Sequence, residues 1–501
     1  MRKPSVDEVA ALADELSITL NDEEADAYTQ VVRETLDVFS EVESRPTPRH
    51  PPREYSYRGR TPGYQPTASE DPHNAWITRC RVEGAETGPL TGMTVGLKDN
   101  VSLAGIELTN GSRVMEGYVP ACDATIVTRL LEAGATITGK TNLWSFSSGA
   151  PEFGHVRNPR NPEYSVGHSS SGSTAAVAAG EVDIGIGSDQ GGSVRMPASF
   201  AGVVGLKPTY GLIPYTGIFG ADPSLDHVGP LTRSVEEAAL VTEVLAGRDG
   251  LDPRQPRDLS VRNYVEALQS EVSELTVAVL SEGFDAGGGE SDVTAAVADA
   301  VETLADCGVE IQEVSVPMHD RAGELSVVVA LYGMGQLFRQ HGLSPGFDGW
   351  YDTGAIDYVS RALAARSSDL PATVTHAILV SEFLRRNYGG SLYAKAKNLT
   401  LQLRAAYDDA LADADALVMP TVPMKPPAFG SSMDLEKMRR TGPGFAETVN
   451  TEPFNLSHHP ALSVPCATVD DVPVGAMFVA SHFDEPTLFA LGAALERQTE
   501  Q

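Results

Sequence analysis

The sequence contains little cysteine, little lysine and no long hydrophobic run. Its four cysteines, at positions 80, 122, 307 and 466, lie far apart and form no CxxC pair. This spacing argues against a disulfide framework or a zinc site and fits structural thiols in a reducing cytoplasm. No run of 18 apolar residues occurs, and the charged start MRKPSVDEVAALADEL lacks the apolar core of a signal peptide. We therefore predict a cytoplasmic protein without a membrane span.

Positive charge is scarce as well. Only eight of the 37 Lys and Arg residues are lysines, against 68 Asp and Glu, and the net charge is −31. Nucleic acid and anionic membranes would be repelled, so neither is expected as a partner. Many acids with few lysines suggest a surface adapted to high salt, although an ordinary acidic surface has the same composition. Hydrophobic residues, at 42%, are sufficient for a sizeable core.

The first 70 residues differ from the rest of the chain. Residues 5–44 predict two amphipathic helices, with Val9, Leu12 and Leu16 on one apolar face and Val31, Val32, Leu36 and Phe39 on another. The Pro- and Arg-rich segment 45–66 predicts an extended tether. Its arginines either balance the acidic charge or form a binding arm, and we favour charge balance. We predict an N-terminal helical region with a tether over 1–70 and a catalytic domain over 71–501.

From about residue 90, short apolar strands alternate with helices. The segments MTVGLKD, DATIVTRLLEAG, ATITGKT, STAAVAAG and VDIGIGSD predict strand, helix, strand, helix and strand. The same alternation returns in LTVAVLSE, the helix at 291–307, VEIQEVSVP and DALVMPTVP. This pattern predicts an α/β fold with a mostly parallel or mixed sheet covered by helices. A helix-rich segment, about 320–412, is expected to cap the site.

Two motifs resemble known catalytic loops but fail on chemistry. GATITGKT, 134–141, matches the phosphate-loop pattern, yet a helix precedes it and its residues form strands, whereas a phosphate loop must open a helix. GLSPG, 342–346, matches the hydrolase elbow, but the residue after its serine is Pro345, which has no N–H for an oxyanion. Neither an ATPase nor an α/β-hydrolase is predicted.

A third site combines GSDQGGSVR, 187–195, with SVGHSSSGS, 165–173. Serine-glycine runs are often flexible loops, but these lie between a predicted helix and a buried strand. The glycines allow the backbone N–H groups of Gln190, Gly191, Gly192 and Ser193 to converge as an oxyanion hole. Asp189 is expected to brace this loop by accepting backbone hydrogen bonds, or else is a simple turn acid.

Ser193 would need a base, and no histidine lies near it in sequence. Lys98, at the end of the strand MTVGLKD, is a candidate because a buried lysine loses its proton readily. A neutral amine can replace histidine as the base for a serine. The alternative is an ion pair between Lys98 and its neighbour Asp99.

Together these residues resemble the amidase signature enzymes. GLKDN, GHSSSGSTAAVAAG, GSDQGGSVRMPASFAGVVGLKPTYG and DHVGP are similar to that family's motifs and occur in its order, over about 74–480. NAW, GLIPYTG and GRDGLDPRQ most resemble the stand-alone amidases of simple or chiral carboxamides. The resemblance implies a nucleophile at Ser193, a bridging serine at Ser169 after a cis His168–Ser169 bond, and Lys98 as the base. It further implies supporting roles for Ser170 and Arg195, and dimer formation through N-terminal helices.

The resemblance implies an amidohydrolase that works through an acyl-enzyme and needs no metal or cofactor. Substrate-pocket residues are expected near the family's pocket segments, at Phe146, Ser147, Ser148, Ile218 and Phe219. His168 and His458 stand where the family usually has glycine, and we expect His168 to be packed or solvated rather than a substrate contact. The alternatives are a glutamine-hydrolysing amidotransferase subunit, disfavoured by the acidic charge and N-terminal extension, and a catalytically silent scaffold.

Overall fold

The structure, a computed structural model, describes residues 1–46, 57, 60–342, 348–431, 433–441 and 446–499. It contains two compact units, Met1–Arg53 and Glu54–Gln501. Most of the predicted tether and the residues of the rejected GLSPG motif after Gly342 lie outside the described residues. None of the four cysteines forms a disulfide, as the spacing predicts. Within the described ranges, no helix combines the length and apolarity needed to cross a bilayer.

The first unit is a pair of helices, α1 (Val6–Glu15) and α2 (Asp22–Glu43). Each begins with a capping box, from Ser5 to Glu8 and from Asn21 to Glu24, which satisfies the free N–H groups of the first turn. The predicted apolar faces are only partly correct. Val9 is buried, but Leu12 and Leu16 are 55% and 67% exposed. The small residues Ala13, Ala25 and Thr29 are buried instead, because small side chains allow two helices to approach closely.

The second unit is built on one 11-stranded mixed sheet in the order β1-β3-β2-β4-β6-β5-β10-β11-β9-β7-β8. The pairs β2–β3, β2–β4, β7–β8 and β7–β9 are parallel, and the other pairs are antiparallel. The strands are β1 (Trp76–Glu83), β2 (Thr94–Lys98), β3 (Thr136–Thr141), β4 (Ile184–Asp189), β5 (Val204–Lys207), β6 (His227–Thr232), β7 (Thr276–Leu280), β8 (Glu310–Val314), β9 (Ala416–Pro420), β10 (Ala461–Val469) and β11 (Val472–Ala480). The predicted α/β fold with a mixed sheet is therefore confirmed.

Helices cover the sheet and enclose apolar side chains from both sides. They are α3 (Thr125–Glu132), α4 (Ser171–Ala178), α5 (Arg195–Ala201), α6 (Val235–Leu245), α7 (Tyr264–Ala267), α8 (Ser281–Phe284), α9 (Ser291–Asp306), α10 (Ala322–Arg339), α11 (Thr353–Arg366), α12 (Ala372–Tyr388), α13 (Ser391–Ala410), α14 (Leu435–Thr441), α15 (Pro453–Ser457) and α16 (Glu485–Thr499). The helix-rich segment expected at about 320–412 contains α10 to α13.

The alternating segments of the sequence fold as predicted. The hairpin of β10 and β11 is not among the elements predicted from the sequence. Its two-residue turn consists of Asp470 and Asp471, both with positive φ, at 48° and 62°. Aspartate tolerates this left-handed conformation because its short side chain bonds to the local backbone. The pair DD between two apolar runs is therefore the signal that identifies the hairpin.

The rejected phosphate loop is confirmed as a helix end followed by a strand. Gly134, with φ +91°, follows α3, and β3 then carries Lys140 into the interior, where it is fully buried. The first α-helix after β3 begins only at Ser171, too far along the chain to present its N–H groups to a phosphate held by this loop.

Candidate active site

Lys98 lies at the carboxyl end of β2, beside the carboxyl end of its parallel neighbour β4. Its side chain is fully buried, and Nζ donates to Ser169 Oγ at 2.8 Å and to the Ser188 carbonyl at 3.2 Å. Burial lowers its pKa to about 7, because desolvation disfavours the ammonium, although the charges of Asp189 and Asp226 oppose this effect. A substantial neutral fraction is therefore available near neutral pH.

The alternative ion pair between Lys98 and Asp99 is not formed. Asp99 Oδ1 accepts from Lys140 Nζ at 2.6 Å, and both side chains are fully buried. Lys98 is the last residue of β2 and Asp99 begins the turn that follows, where its carboxylate contacts Lys140 and not Lys98. The register pairs Lys140 with Leu97, which shares its face with Asp99. Among the described residues, no carboxylate is bonded directly to Lys98.

Ser169 precedes α4 and follows a cis peptide bond from His168. It is fully buried. The next residue, Ser170, fastens this turn, since its N–H donates to the Ser193 carbonyl at 3.3 Å and its Oγ donates to the Ser188 carbonyl at 3.2 Å. Ser169 is thus hydrogen-bonded to Lys98, and its neighbour Ser170 is hydrogen-bonded to the backbone carbonyl of Ser193.

The loop after β4 is organised around the carboxylate of Asp189. It accepts from the N–H groups of Gly192 at 2.7 Å and Val194 at 3.1 Å. Arg195 donates to both of its oxygens, from Nη2 at 3.0 Å and Nε at 3.1 Å, and both residues are fully buried. Burial alone would raise the pKa of Asp189, but the charge and hydrogen bonds of Arg195, with a hydrogen bond from Asn455, hold it well below its usual range. The loop is therefore held by a permanently charged pair.

These bonds change the composition of the expected oxyanion hole. The Gly192 N–H donates to Asp189, so it is not available to a substrate oxygen. Within the part of the chain that the structure describes, the N–H groups of Gln190, Gly191 and Ser193 have no acceptor. Glycine is nevertheless required at 192, where φ is +129° and a Cβ would lie 2.1 Å from Thr451 Oγ1.

Two residues of the site come from a distant segment near α15 and had not been anticipated. Asn455 is fully buried and donates from Nδ2 to the carbonyl and to Oδ1 of Asp189, each at 2.9 Å. Its Oδ1 accepts from Arg195 at 2.7 Å. Thr451 Oγ1 donates to the Gly191 carbonyl at 2.8 Å. Because more than 250 residues separate them from the loop, local sequence patterns do not reveal these contacts.

A cavity of about 160 Å³ lies beside the loop. Ile218 and Phe219 line it, with residues that include Tyr118, Tyr215, Asp226, Arg254 and Trp350. Gln190 of the loop contacts one lining residue, since its Nε2 donates to the Tyr215 hydroxyl at 3.0 Å. Lys98, Ser169 and Ser193 do not line it. The candidate active site is therefore defined by the hydrogen bonds around Lys98 and Ser169, and the cavity is separate from these residues.

Three of the expected pocket residues lie outside the lining of this cavity. Phe146 is buried and packs edge-on against Phe338, with ring centroids 4.8 Å apart, and its ring lies 6.1 Å from that of Phe219. Ser148 Oγ donates to the Met334 sulfur at 3.4 Å. Phe146 thus supports the wall from behind, and Ser147 and Ser148 do not face the cavity.

The two histidines at which the resemblance leads us to expect glycine are packed. His168 stacks on Trp144 with ring centroids 4.2 Å apart, and burial lowers its pKa to about 4, so it is neutral. His458 has φ +74°, a conformation that favours glycine, and its ring stacks on Tyr210 at 4.0 Å. Its Nδ1 accepts from Arg404 at 2.7 Å, and its Nε2 donates to the Ser224 carbonyl at 2.9 Å. These contacts hold His458 in its left-handed backbone conformation.

Comparisons with known proteins show the family of the chain. The family model described as Amidase matches residues 72–489. The enantioselective amidase of Rhodococcus rhodochrous is 39% identical over 439 residues, or 85% of this chain and 84% of that protein. A glutamyl-tRNA(Gln) amidotransferase subunit of Natronomonas pharaonis is 40% identical over 433 residues, or 84% of this chain and 99% of that protein. The crystal structure of peptide amidase from Stenotrophomonas maltophilia superposes with a TM-score of 0.67 and 30% identity, over 82% of this chain and 84% of that chain.

The family model covers more than half of the chain, and the relatives match over most of their length. The chain belongs to the amidase signature family and is a hydrolytic amidase.

Proposed function

We propose that the protein converts a free carboxamide into a carboxylate and ammonia through a Ser-Ser-Lys relay and an acyl-enzyme. The observation that carries this proposal is the buried 2.8 Å hydrogen bond between Lys98 Nζ and Ser169 Oγ. Once Lys98 is neutral, its lone pair can accept the Ser169 proton over the same distance. A buried lysine with a lowered pKa has the properties of a general base.

In the first half-reaction, Ser193 Oγ bonds to the amide carbon. Its proton passes to Ser169, and the Ser169 proton passes to Lys98. The C–N bond then breaks as Lys98 returns a proton through Ser169 to the departing nitrogen, which leaves as ammonia. Water repeats the same sequence on the acyl-enzyme and releases the carboxylate. The free N–H groups of the 190–193 loop are suited to hold the carbonyl oxygen while it is negatively charged.

We propose that the substrate carries a small, mainly apolar acyl group. The cavity beside Gln190 has an aromatic lining that includes Tyr118, Tyr215, Phe219 and Trp350. Ligand sites typically combine such apolar walls with a few polar groups, and here Asp226 and Arg254 supply them. A panel of aliphatic, aromatic, chiral and peptide-like amides, assayed for ammonia release, tests this proposal.

The second candidate is a glutamine-hydrolysing amidotransferase subunit. The 40% identity to the Natronomonas pharaonis protein over 99% of its length favours it. The net charge of −31 is poorly suited to tRNA, and the match to relatives covers 84% of this chain, which carries an additional N-terminal helical unit. Glutamine and the amide panel should be compared with and without tRNA. We expect hydrolysis of free amides and no stimulation by tRNA, whereas tRNA-stimulated glutaminase activity would favour the second candidate.

We propose that the acidic surface adapts the protein to concentrated salt in the cytoplasm. The carboxylates that give the net charge of −31 repel one another, and counter-ions shorten the range of this repulsion to a few ångströms at about 1 M salt. We expect the melting temperature to rise between about 0.1 M and about 1 M salt. Differential scanning fluorimetry checks this, and a melting temperature that is independent of salt would contradict it.

We also propose that the N-terminal helices pair with a second copy of the chain. Their large apolar side chains include several that are more than half exposed, namely Leu12, Leu16, Tyr28, Val31, Val38, Phe39 and Val42. Exposed apolar groups of this density are typical of interaction surfaces. The molar mass of the full chain in solution checks this proposal, and a monomer would contradict it.

A further inference from the structure

A cluster of metal-ligating side chains lies outside the amidase site. It consists of Asp408 on α13, His459 just before β10 and His482 just after β11, and we call it the His-Asp cluster. One ligand atom from each residue lies within 4.8 Å of the others. The three residues are separated in sequence, so only the fold brings them together. Nothing in the amidase relay uses them.

Two of the distances within the His-Asp cluster suit side chains that bind one metal ion. Asp408 Oδ1 lies 3.0 Å from His459 Nε2 and 3.7 Å from His482 Nδ1. Ligand atoms at about 2.1 Å from a tetrahedral zinc ion are separated by roughly 3.4 Å, which falls between these two distances. Both distances are therefore close to this separation, and the two histidine nitrogens lie within 4.8 Å of each other.

The outer nitrogens of both rings are already engaged by Ser457. His482 Nε2 donates to the Ser457 carbonyl at 3.1 Å, and His459 Nδ1 lies 3.1 Å from the Ser457 hydroxyl. When His459 Nδ1 donates to that hydroxyl, the lone pairs of His459 Nε2 and His482 Nδ1 both face Asp408. A ligating histidine ordinarily donates its second N–H to such a partner, which sets the tautomer and the ring orientation.

Exposure also suits a cation. His459 is fully buried, whereas the side chains of His482 and Asp408 are 27% and 52% exposed, so the cluster opens to solvent on one side. Arg404 donates to the Ser457 carbonyl at 3.0 Å and brings a positive charge near both histidines, and the negative charge of Asp408 lies close enough to attract it.

We propose that His459 Nε2, His482 Nδ1 and Asp408 Oδ1 bind one divalent transition-metal ion of the zinc type, with water completing the coordination. Two imidazoles and one carboxylate are ligands that zinc and cobalt accept, whereas calcium and magnesium prefer sites made of oxygen atoms. The site would be structural. Asn455, which bonds to Asp189, lies two residues before Ser457, so the ion would brace the turn that positions Asn455.

The competing arrangement is a simple hydrogen bond from His459 Nε2 to Asp408, with His459 Nδ1 accepting from Ser457. In that case no ion is needed, and both arrangements fit the same distances. Metal binding by the purified full chain distinguishes them, and the outcome does not depend on amidase activity.

The experiment titrates EDTA-treated full-length protein with Co²⁺ and follows its visible absorption, with equilibrium dialysis to count the bound ions. We expect one equivalent with the strong visible bands of four-coordinate cobalt, and a higher melting temperature when Zn²⁺ is added. Asp408→Asn and His482→Gln should weaken binding by at least ~100-fold. Asp408 is largely exposed, so its variant is expected to fold even if the histidine variant does not.

Matched controls are Asp409→Asn, an exposed acid next to Asp408 on the same helix, and His376→Gln, a histidine on α12 outside the cluster. Both should bind cobalt as the unmodified chain does. The proposal is overturned if the unmodified protein binds no stoichiometric ion, or if Asp408→Asn binds it as tightly as Asp409→Asn.

Discussion

Ser193→Ala is expected to abolish amide hydrolysis while leaving the fold intact. The substitution removes one hydroxyl at a position that is 8% exposed, and the surrounding loop is held by Asp189 and Arg195, not by the Ser193 side chain. Loss of a serine nucleophile typically lowers turnover by about 10⁴-fold to 10⁶-fold. Ammonia release measures the activity, and labelling by a fluorophosphonate probe, which requires an activated serine, should disappear with it.

Variants of two further serines provide comparisons for Ser193→Ala. Ser169→Ala should cause a large but smaller loss, because water can partly bridge the gap to Lys98. Ser148→Ala serves as the control, since its hydroxyl contacts the Met334 sulfur and lies outside the relay. If Ser193→Ala kept more than a few per cent of the activity, the nucleophile would lie elsewhere. Unchanged activity in Ser169→Ala would exclude Ser169 as the bridging serine. If the fluorophosphonate probe did not label the unmodified protein, a catalytically silent scaffold would be favoured.

Lys98→Arg is expected to lower turnover by several orders of magnitude. If Lys98 acted only as a buried cation, arginine would supply the same charge. A base must instead become neutral, and with a pKa of about 13.8 only about one arginine in a million is neutral near pH 8. Turnover should be measured together with the far-UV circular dichroism and the melting temperature, because the position is fully buried. An active, folded Lys98→Arg enzyme would exclude lysine as the base.

If arginine prevents folding, Lys98→Ala provides an independent measurement. The truncated side chain leaves space for small alkylamines, and these should restore activity in proportion to the concentration of their neutral form. Rescue by a neutral amine and not by guanidinium would identify a base. If the folded Lys98→Ala variant were fully active without added amine, the relay would be wrong.

The pH dependence of the unmodified enzyme follows from the same group. Burial lowers the pKa of Lys98 to about 7, and the base is active only when deprotonated, so turnover should rise through about pH 7 and then level off. An unperturbed lysine would instead place the rise near pH 10. A profile that falls as the pH increases through 7 would contradict the assignment.

Much of the site could be predicted from the sequence because its residues lie in local patterns. Lys98 ends a short apolar strand, and Ser193 follows a glycine pair after another, so strand periodicity and glycine content single out both as candidates. The alternation of strands and helices likewise depends on local hydrophobic spacing. The motifs that resemble the amidase signature then indicate which serines and which lysine belong together.

The partners of the buried charges were decided by the tertiary structure. Lys98 and Asp99 are neighbours in sequence but do not pair, and only the arrangement of β2 beside β3 reveals that Asp99 binds Lys140. The direction of the Gly192 N–H is set by the Asp189 carboxylate and could not be read from glycine content.

By itself, the sequence determined the α/β class and the absence of a disulfide framework, because local periodicity and cysteine spacing carry that information. It also proposed Lys98 and Ser193 as candidates from local patterns, and Ser169 from the resemblance to the amidase signature. Only the tertiary structure decided that Asn455 and Thr451 support the loop, that Phe146 lies behind the cavity wall, and that Asp408, His459 and His482 meet. Such contacts join residues far apart in the chain, and they depend on strand order and helix packing, which no local pattern encodes.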